Sequence, residues 1–447
     1  MSAAQSVTSL RAKLETLQCH FTWELDHSRS KLLLLRDNLE DIGSEEGYLW
    51  LGHIYNLQAY IHFHLSSEDD TLGSTTDDAL QSFSRAAEAF RQIRNTVSDE
   101  GPWLVVNYGD SAWLHYHLGE NAKSWSYVAK VEALQLEYPS PSQDELHPEI
   151  YAEKAWTLMK FSPDRKMEAV ECFRRAIRME PDRVEWHTSH VLALEGAFEN
   201  RTPEQEADIL GRLRIAKEHD PENLYLAAVY LGKLAKTGGI IEDQARELAK
   251  RVLKKPVSSY SGIRPLLRLY RMYLSIDEAI DLADELLERH PNERYLKSCL
   301  ATCYKWRIFS DKDNPLKQSM MERAISLHKE VISLYPHSSL PTKIALANIY
   351  AESSQHDSVQ ADQIYEELKE SNLELAQLQM VYNSYAKYLN HHKQERYRSI
   401  DFHMRAAEIP QPSNSRKNSI KILRQIKDRG RNKMCREIEF FLINLQE

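Results

Sequence analysis

The sequence is poor in the residues and runs that mark several large classes of protein. Its 447 residues include only 14 glycines and five cysteines. No apolar run reaches the roughly 18 to 20 residues that span a bilayer. The cysteines are odd in number, widely spread and without zinc-ligand spacing, which argues against a disulfide framework and against a metal site. We therefore expect no membrane segment, no metal and no other cofactor.

The chain also lacks an excess of positive charge and a recognisable secretory signal. Lys and Arg number 57 against 66 Asp and Glu, a net charge of −9, whereas proteins that coat nucleic acid non-specifically need excess cations. One local basic groove remains compatible with this balance. The start, "MSAAQSVTSLRAKLETL", lacks the charged-then-apolar order of a signal peptide, so we expect a cytoplasmic protein.

Motifs for catalysis are absent from the sequence as well. It contains no Walker A sequence, no G-x-S-x-G elbow and no H-E-x-x-H helix. Histidines such as His115 and His117 follow a structural repeat and form no catalytic constellation. We therefore expect a binding protein and not an enzyme.

What the sequence does contain is a repeat of roughly 34 residues with the tetratricopeptide pattern. The segment "EAVECFRRAIRMEPD" places Ala169, Phe173, Ala176 and Pro181 at that spacing. Looser copies end at four later prolines, Pro221, Pro256, Pro291 and Pro336. Because one helical hairpin is too small to bury its apolar face alone, successive hairpins must stack. The repeats predict an all-α superhelix, an α-solenoid that encloses a basic groove or tunnel.

Three repeat subdomains are predicted along the chain. They cover residues 1–138, 139–240 and 241–447, and the last ends in basic helices. Its terminal segment, "SRKNSIKILRQIKDRGRNKMCREIEFFLINLQE", has nine basic and four acidic residues, with Ile420, Leu423 and Ile426 at helical spacing. This pattern predicts a closing helix pair with a basic exposed face.

The segment "HPEIYAEKAWTLMKF" contains a tryptophan and a lysine one turn apart. In tetratricopeptide repeats generally, positions five, nine, twelve and thirteen of the first helix face the concave groove. Ala155 and Leu158 set the register, which places Trp156 at position nine and Lys160 at position thirteen on one face. An indole beside a cation suits base stacking with phosphate neutralisation. The alternative is that Trp156 only packs within the core.

The same register brings further cations to groove positions. It predicts groove-facing Arg264, Arg268 and Arg271 on "IRPLLRLYRMY", and Lys233 and Lys236 on "YLGKLAK". A basic groove within an acidic chain indicates a bound anion. Single helical cations are usually only solvated, which is the plainer explanation for each residue taken separately. A basic groove also suits an acidic peptide or a terminal carboxylate, so a protein-interaction scaffold remains the alternative function.

Several motifs resemble one particular family, the interferon-induced proteins with tetratricopeptide repeats. The resemblance lies in "CHFTWEL", "YGDSAWLHYHLG", "HPEIYAEKAWTLMKF", "CYKW" and "LANIYAE", and it covers nearly the whole chain. It implies a cytosolic effector of antiviral innate immunity. It further implies recognition of the 5′ end of foreign single-stranded RNA, either a triphosphate or a cap whose first ribose lacks 2′-O-methylation.

Site residues follow from the resemblance position by position. For the cap or base it implies stacking on Trp156, an acidic contact from Glu185 and a tunnel tyrosine at Tyr225. For the 5′ phosphates it implies contacts from four cations, Lys160, Arg264, Arg268 and Arg271. Such cations make charge-assisted hydrogen bonds to phosphate oxygens, and arginine does so through a planar fork.

The sequence departs from the family pattern at one phosphate-binding position. Glu195 and Gly196 replace a Tyr-Arg pair of the family, which should weaken the binding of a triphosphate. Lys166 stands where the family has a tyrosine, and we expect it to compensate for the lost arginine. Lys166, Lys233 and Lys236 are further predicted phosphate contacts. The expected partners are the 5′ end of single-stranded RNA and either family relatives or other proteins, with neither DNA nor a membrane. The sequence leaves open whether triphosphate or cap is preferred.

Overall fold

The computed structural model describes residues 3–44, 47–66, 72–94, 100–142, 144–161, 163–197, 201–310, 318–353 and 358–445. Within these ranges the ordered elements are helical and no β-strand occurs. None of the described helices combines the length and apolar character that crossing a bilayer requires. The all-α class predicted from the repeats is confirmed.

The chain forms two compact units, Met1–Tyr295 and Leu296–Glu447, and the three predicted subdomains remain a prediction. Unit 1 holds α1 (Ala3–Leu14), α2 (Arg29–Glu40), α3 (Leu51–Ser66), α4 (Leu72–Arg94), α5 (Val105–His117), α6 (Asn121–Glu137), α7 (Pro148–Phe161), α8 (Pro163–Met179), α9 (Val184–Ala197), α10 (Pro203–His219), α11 (Leu224–Lys236), α12 (Glu242–Val252), α13 (Ile263–Tyr273) and α14 (Ile276–Arg289). Short 3-10 turns cover His20–Thr22, Tyr48–Trp50 and Pro102–Leu104.

Helix α15 (Arg294–Ser310) starts at the end of unit 1 and continues into unit 2. Unit 2 also holds α16 (Gln318–Leu334), α17 (Leu340–Glu352), α18 (Ser358–Glu370), α19 (Leu375–Tyr388), α20 (Arg396–Glu408), α21 (Asn414–Arg429) and α22 (Cys435–Asn444). A π-helical turn, Leu389–Lys393, follows α19. The predicted terminal helix pair corresponds to α21 and α22.

The repeat residues lie where helix pairs pack. Ala169, Phe173 and Ala176 on α8 are fully buried, as are Ala155 and Leu158 on α7. Small residues allow the two helices to approach, and the larger apolar ones fill the space between them. Because α7 and α8 are held in this register, the remaining face of α7 is directed toward the interior of unit 1.

Candidate RNA-binding site

Two adjoining cavities lie inside unit 1. The first, about 460 Å³ in volume, is the tryptophan pocket, lined in part by Trp50, Trp156, Lys166, Glu185 and Gly196. The second, about 780 Å³, is the arginine pocket, lined in part by Lys233, Lys236, Arg264, Arg268 and Tyr295. Six residues line both, namely Met159, Lys160, Glu195, Tyr225, Val229 and Tyr260. The two cavities therefore share a boundary.

Trp156 belongs both to the core and to the pocket wall. Its side chain is only 2% exposed and stacks on Trp50, with ring centroids 5.9 Å apart and planes 15° from parallel. It nevertheless lines the tryptophan pocket. The indole therefore packs within the repeat, as the alternative expectation had it, while part of it borders the cavity; its role as a stacking platform stays a prediction.

Lys160 stands at the boundary of the two pockets on an aromatic support. Its Nζ lies 4.5 Å from the ring centroid of Trp156 and donates a hydrogen bond of 2.7 Å to the hydroxyl of Tyr260. It forms no ion pair with a carboxylate of any described residue. A cation over an aromatic face is stabilised by the ring quadrupole and keeps its charge available to an anion.

Glu185 and Tyr225, the other residues predicted to read a base, also line the cavities. Glu185 borders the tryptophan pocket, with its Oε1 3.9 Å from Nη1 of Arg183. Tyr225 borders both pockets. Burial raises the pKa of the Tyr225 hydroxyl, and nearby Arg264 partly opposes that rise. The phenol is therefore a neutral donor or acceptor near pH 7.

Local backbone features bring Tyr225 close to the start of α13. The Asn223 side chain caps α11 by accepting a hydrogen bond of 2.9 Å from the Leu226 N–H. Gly262 precedes α13 with φ +89°, and a Cβ there would stand 2.9 Å from the backbone of Leu224. Only glycine tolerates both conditions. This close approach places Arg264 within electrostatic reach of Tyr225.

Two of the three arginines of α13 line the arginine pocket, and the third does not. Arg264 and Arg268 are exposed and line the arginine pocket, and the Arg264 guanidinium lies 4.9 Å from the ring centroid of Tyr295. Arg271 lines neither pocket, and Met272 lines the arginine pocket instead. With about 100° per residue, Arg271 lies roughly 60° from Arg268 on the side away from Met272. The register thus placed two of three arginines on the cavity.

Lys233 and Lys236 are held by carboxylates. Lys233 Nζ lies 2.9 Å from Glu195 and 3.5 Å from Glu206, and Lys236 Nζ lies 2.6 Å from Glu206. Arg201 pairs with both carboxylates, at 3.8 and 3.4 Å, and also donates to the Glu195 carbonyl. The Lys236 hydrogen bond is the main reason that the pKa of Glu206 falls to about 2. We call these five residues the ion-pair cluster.

Lys166 occupies the space above Gly196. A Cβ at position 196 would stand 2.5 Å from the Lys166 Nζ, and both residues line the tryptophan pocket. Lys166 forms no ion pair with a described residue. The absent side chain at Gly196 is therefore what allows the Lys166 ammonium to enter this part of the pocket.

Contacts between residues that are distant in sequence close the arginine pocket on the side where α2 ends. Arg294 Nε lies 2.9 Å from Asp41 Oδ1, and the Ser259 N–H donates to the Asp41 carbonyl at 2.8 Å. The Ser258 hydroxyl donates to the Ile42 carbonyl at 2.5 Å. These bonds hold the end of α2 beside α13, so Leu35 and Leu39 become part of the same wall.

The sequence analysis did not predict that Tyr260, Arg201 and Glu206 belong to the site. Tyr260 lies in the loop between α12 and α13, and Arg201 precedes α10, so neither falls in the register of a first helix. Glu206 lies in the first turn of α10 after the capping box of Thr202 and Gln205. In the part of the chain that the structure describes, no three His, Cys, Asp or Glu side chains are grouped to hold a metal ion.

Comparison with known sequences identifies several relatives, while no family model matches the chain. It is 28% identical over 303 residues to the human protein named Interferon-induced protein with tetratricopeptide repeats 2, covering 67% of this chain but only 61% of that relative. It is 24% identical over 431 residues to the human Antiviral innate immune response effector IFIT1, covering 93% of this chain and 87% of the relative. Human Protein IFIT1 homolog B is 23% identical over 453 residues, which cover 98% of this chain and 92% of that relative.

Solved structures share this fold. The human IFIT1 dimer with PPP-AAAA matches with a TM-score of 0.67 at 24% identity, covering 96% of this chain and 92% of that chain. The human IFIT1 dimer with m7Gppp-AAAA matches with a TM-score of 0.68 at 24% identity, covering 94% and 91%. The tetratricopeptide-repeat architecture predicted from the sequence is thereby confirmed.

Proposed function

Since the chain is related over nearly its whole length to the interferon-induced proteins with tetratricopeptide repeats, we propose that it binds the 5′ end of foreign single-stranded RNA. In this proposal the protein acts in the cytoplasm as an antiviral effector, blocks use of the RNA and performs no catalysis. The relative IFIT1 was solved with PPP-AAAA and with m7Gppp-AAAA, two RNAs that differ at the 5′ end.

The observation that carries this proposal is the position of Lys160. It lies between an indole-lined pocket with carboxylates and a pocket with two exposed arginines. A nucleic acid end has the same order of chemistry, a base or cap followed by phosphates. Single-stranded ends are commonly recognised by stacking together with backbone contacts.

In the proposed complex, the tryptophan pocket receives the terminal base or cap. The Lys160 ammonium lies over the Trp156 ring in the free protein. A base that stacks on that ring must displace the ammonium, which is then directed to the first phosphates. Glu185 lies within the same pocket, where a carboxylate can accept hydrogen bonds from a guanine edge.

The phosphates are assigned to the arginine pocket. Arg264 and Arg268 line it and are exposed, so they bind an anion without first being drawn out of the core. Arg268 has no ion pair with a described residue. Lys166 supplies a further charge above Gly196. Lys233 and Lys236 contribute less, because Glu195 and Glu206 already neutralise them.

The test is a binding comparison of one RNA sequence with four ends: 5′-hydroxyl, 5′-triphosphate, a cap with unmethylated ribose and a cap with methylated ribose. We expect the triphosphate or the unmethylated cap to bind at least tenfold more tightly than the 5′-hydroxyl. Similar affinity for all four ends, or no binding, would contradict end recognition.

The second candidate function is a scaffold that holds acidic peptides. Its support is the ion-pair cluster, which shows that cations of the arginine pocket accept carboxylate partners. The four carboxylates that line the tryptophan pocket, Glu185, Glu195, Asp220 and Glu222, disfavour an acidic ligand there. Competition of an acidic peptide with the triphosphate RNA decides between the two, since a scaffold would prefer the peptide.

A further inference from the structure

A third cavity, of about 500 Å³, lies wholly within unit 2. It is bordered by α19, the π-helical turn after it, α20, α21 and the segment that follows α21. Its lining includes four cations, Lys387, Arg396, Arg429 and Arg431, and no carboxylate among the described residues. Nothing in the proposed RNA site uses these residues.

The positive charge of this cavity is not neutralised by its neighbours. None of the four cations pairs with a carboxylate of a described residue. The acidic side chains nearest in sequence are paired with other cations: Glu395 with Arg398, Asp401 with Arg405, and Asp428, next to Arg429, with Lys427 at 3.5 Å. Residues 387–432 carry twelve Lys and Arg against four Asp and Glu, in a chain whose net charge is −9. Such a concentration of one sign in a concave site attracts anions.

Titration of His403 does not explain the charge. His403 is 2% exposed and bonded through Nδ1 to the Ser419 hydroxyl at 3.1 Å, and burial lowers its pKa to about 4. Its imidazole is therefore neutral near pH 7. Burial also lowers the pKa of Lys387 from 10.5, which is the response of an ammonium that lacks a counter-ion. Lys387 and the three arginines therefore supply positive charge that does not depend on His403.

Irregular backbone positions two parts of the lining. The π-helical turn Leu389–Lys393 presents Asn390 and His391 to the cavity, and Gln394 ends that turn at φ +58°. Such turns occur often at functional sites. At the other end, Gly430 terminates α21 at φ +64°, with Arg429 and Arg431 on either side of it in the lining.

We propose that this cavity binds a compact anion that carries at least two phosphate groups. Three arginines and one lysine supply charge-assisted donors, and a guanidinium matches phosphate oxygens in a two-pronged geometry. The amides of Asn390, Gln425 and Asn432 supply further polar contacts. The volume lies within the roughly 300–1,000 Å³ of small-molecule sites.

The lining favours a small ligand over an RNA strand. Single-strand sites use aromatic platforms on which successive bases stack. No Trp, Tyr or Phe occurs among the described residues that line this cavity, and its apolar wall consists of Ile400, Ile422 and Ile426. A free polyphosphate and the phosphate tail of a nucleotide present the same chemistry to the cations.

The test is calorimetric titration of the full chain with inorganic tripolyphosphate. It is run in an Arg264→Ala/Arg268→Ala background, so that the RNA-binding site of unit 1 contributes little. We expect one site per chain, weakened at least tenfold by Arg429→Ala/Arg431→Ala. The control is Lys421→Ala, which removes an exposed cation of α21 outside the cavity. Because Arg429 and Arg431 are exposed, the variants should retain the thermal midpoint of the parent.

Two further ligands distinguish the source of the phosphates. ATP in place of tripolyphosphate should bind more tightly if the cavity takes a nucleotide, and no better if it takes a free polyphosphate. A 5′-hydroxyl RNA of the same charge should not compete. The proposal is overturned if tripolyphosphate does not bind the background protein, if the Arg429 and Arg431 substitutions change nothing, or if RNA alone binds.

Discussion

The tryptophan pocket and the arginine pocket share six residues but use charge in different ways. The tryptophan pocket contains three lysines, Lys160, Lys166 and Lys255, and balances them with four carboxylates around an indole. The arginine pocket contains five cations and only two carboxylates, Asp41 and Glu195. Asp41 is paired with Arg294, and Glu195 with Lys233.

Because of this difference, we expect the tryptophan pocket to determine selectivity among RNA ends and the arginine pocket to determine affinity. A balanced pocket with an aromatic wall discriminates by shape and hydrogen bonding, since net attraction for phosphate is small there. A cationic pocket binds phosphates of any 5′ end, with an affinity that falls as salt rises. Substitutions in one pocket should therefore change which end is bound, and substitutions in the other should change how tightly all ends are bound.

The largest effect is expected from Arg264→Ala/Arg268→Ala. Each hydrogen bond to a charged group contributes about 1.5–3 kcal/mol, so the affinity for triphosphate RNA should fall by roughly 100-fold or more. Arg246→Ala is the matched control, since Arg246 is exposed, pairs with Glu278 and lines neither pocket. Fluorescence anisotropy with triphosphate RNA and with capped RNA measures the affinities of the double variant and of the control. A loss confined to capped RNA would contradict the assignment of phosphates to the arginine pocket.

The next largest effect on RNA affinity is expected at Trp156. Because this side chain is buried, its replacement by alanine is not a suitable test. Replacement of a buried tryptophan by alanine destabilises a protein by about 3–5 kcal/mol, which would obscure any binding defect. Trp156→Phe keeps an aromatic ring, and we expect a roughly tenfold loss for capped RNA because stacking contributes about 1–3 kcal/mol per base.

The control for Trp156 is Trp186→Phe. Trp186 is 1% exposed on α9 and lines neither pocket, so this substitution has a similar packing defect without the contact to a base. Thermal midpoints of the two variants should fall together. Equal losses of cap affinity in both would mean that Trp156 acts only through packing.

A smaller effect of opposite sign is expected from Glu195→Gln. The substitution keeps the shape but removes the charge that pairs with Lys233 at 2.9 Å. Lys233 then keeps only its 3.5 Å contact with Glu206, and triphosphate binding should strengthen by roughly 3- to 10-fold, in line with about 1 kcal/mol for one partly exposed charge pair. The gain should vanish when Lys233→Ala is added, which a double-mutant cycle measures. A persistent gain would assign the effect to another cation.

The smallest effect belongs to Lys236→Ala. Lys236 is exposed and donates to Glu206, whose pKa near 2 keeps it ionised at neutral pH. Removal of this cation leaves Glu206 paired with Arg201 and Lys233, so triphosphate affinity should change less than threefold, within the range of a surface ion pair. A loss approaching that of Arg264→Ala/Arg268→Ala would show that the ion-pair cluster opens when RNA binds.

Much of the fold was predictable because it depends on local spacing. Ala169, Phe173 and Ala176 follow the spacing of the tetratricopeptide pattern and are buried, and the register from Ala155 placed Lys160 and Trp156 on the pocket wall. A register read from the sequence of one helix identifies the residues that face the groove only to within about one position. It therefore assigned Arg271 to the groove, where Met272 lies in the structure.

The ion-pair cluster was beyond prediction because its members come from different helices. Glu206 meets Lys233 and Lys236 only after α10 and α11 pack, across 27 and 30 residues of sequence. The pattern counted both lysines as available for phosphate. Tyr260 was also missed, since its loop between α12 and α13 carries no repeat register.

By itself, the sequence determined the helical repeat, the family resemblance and the presence of cations on groove positions, because these depend on residue type at fixed local intervals. Tertiary structure alone decided which cations remain available: Lys160 and Arg268 have no ion pair with a described residue, whereas Lys233 is held by Glu195. It also decided that Trp156 is both core and pocket wall. The reason is that charge compensation and burial depend on neighbours brought together by packing.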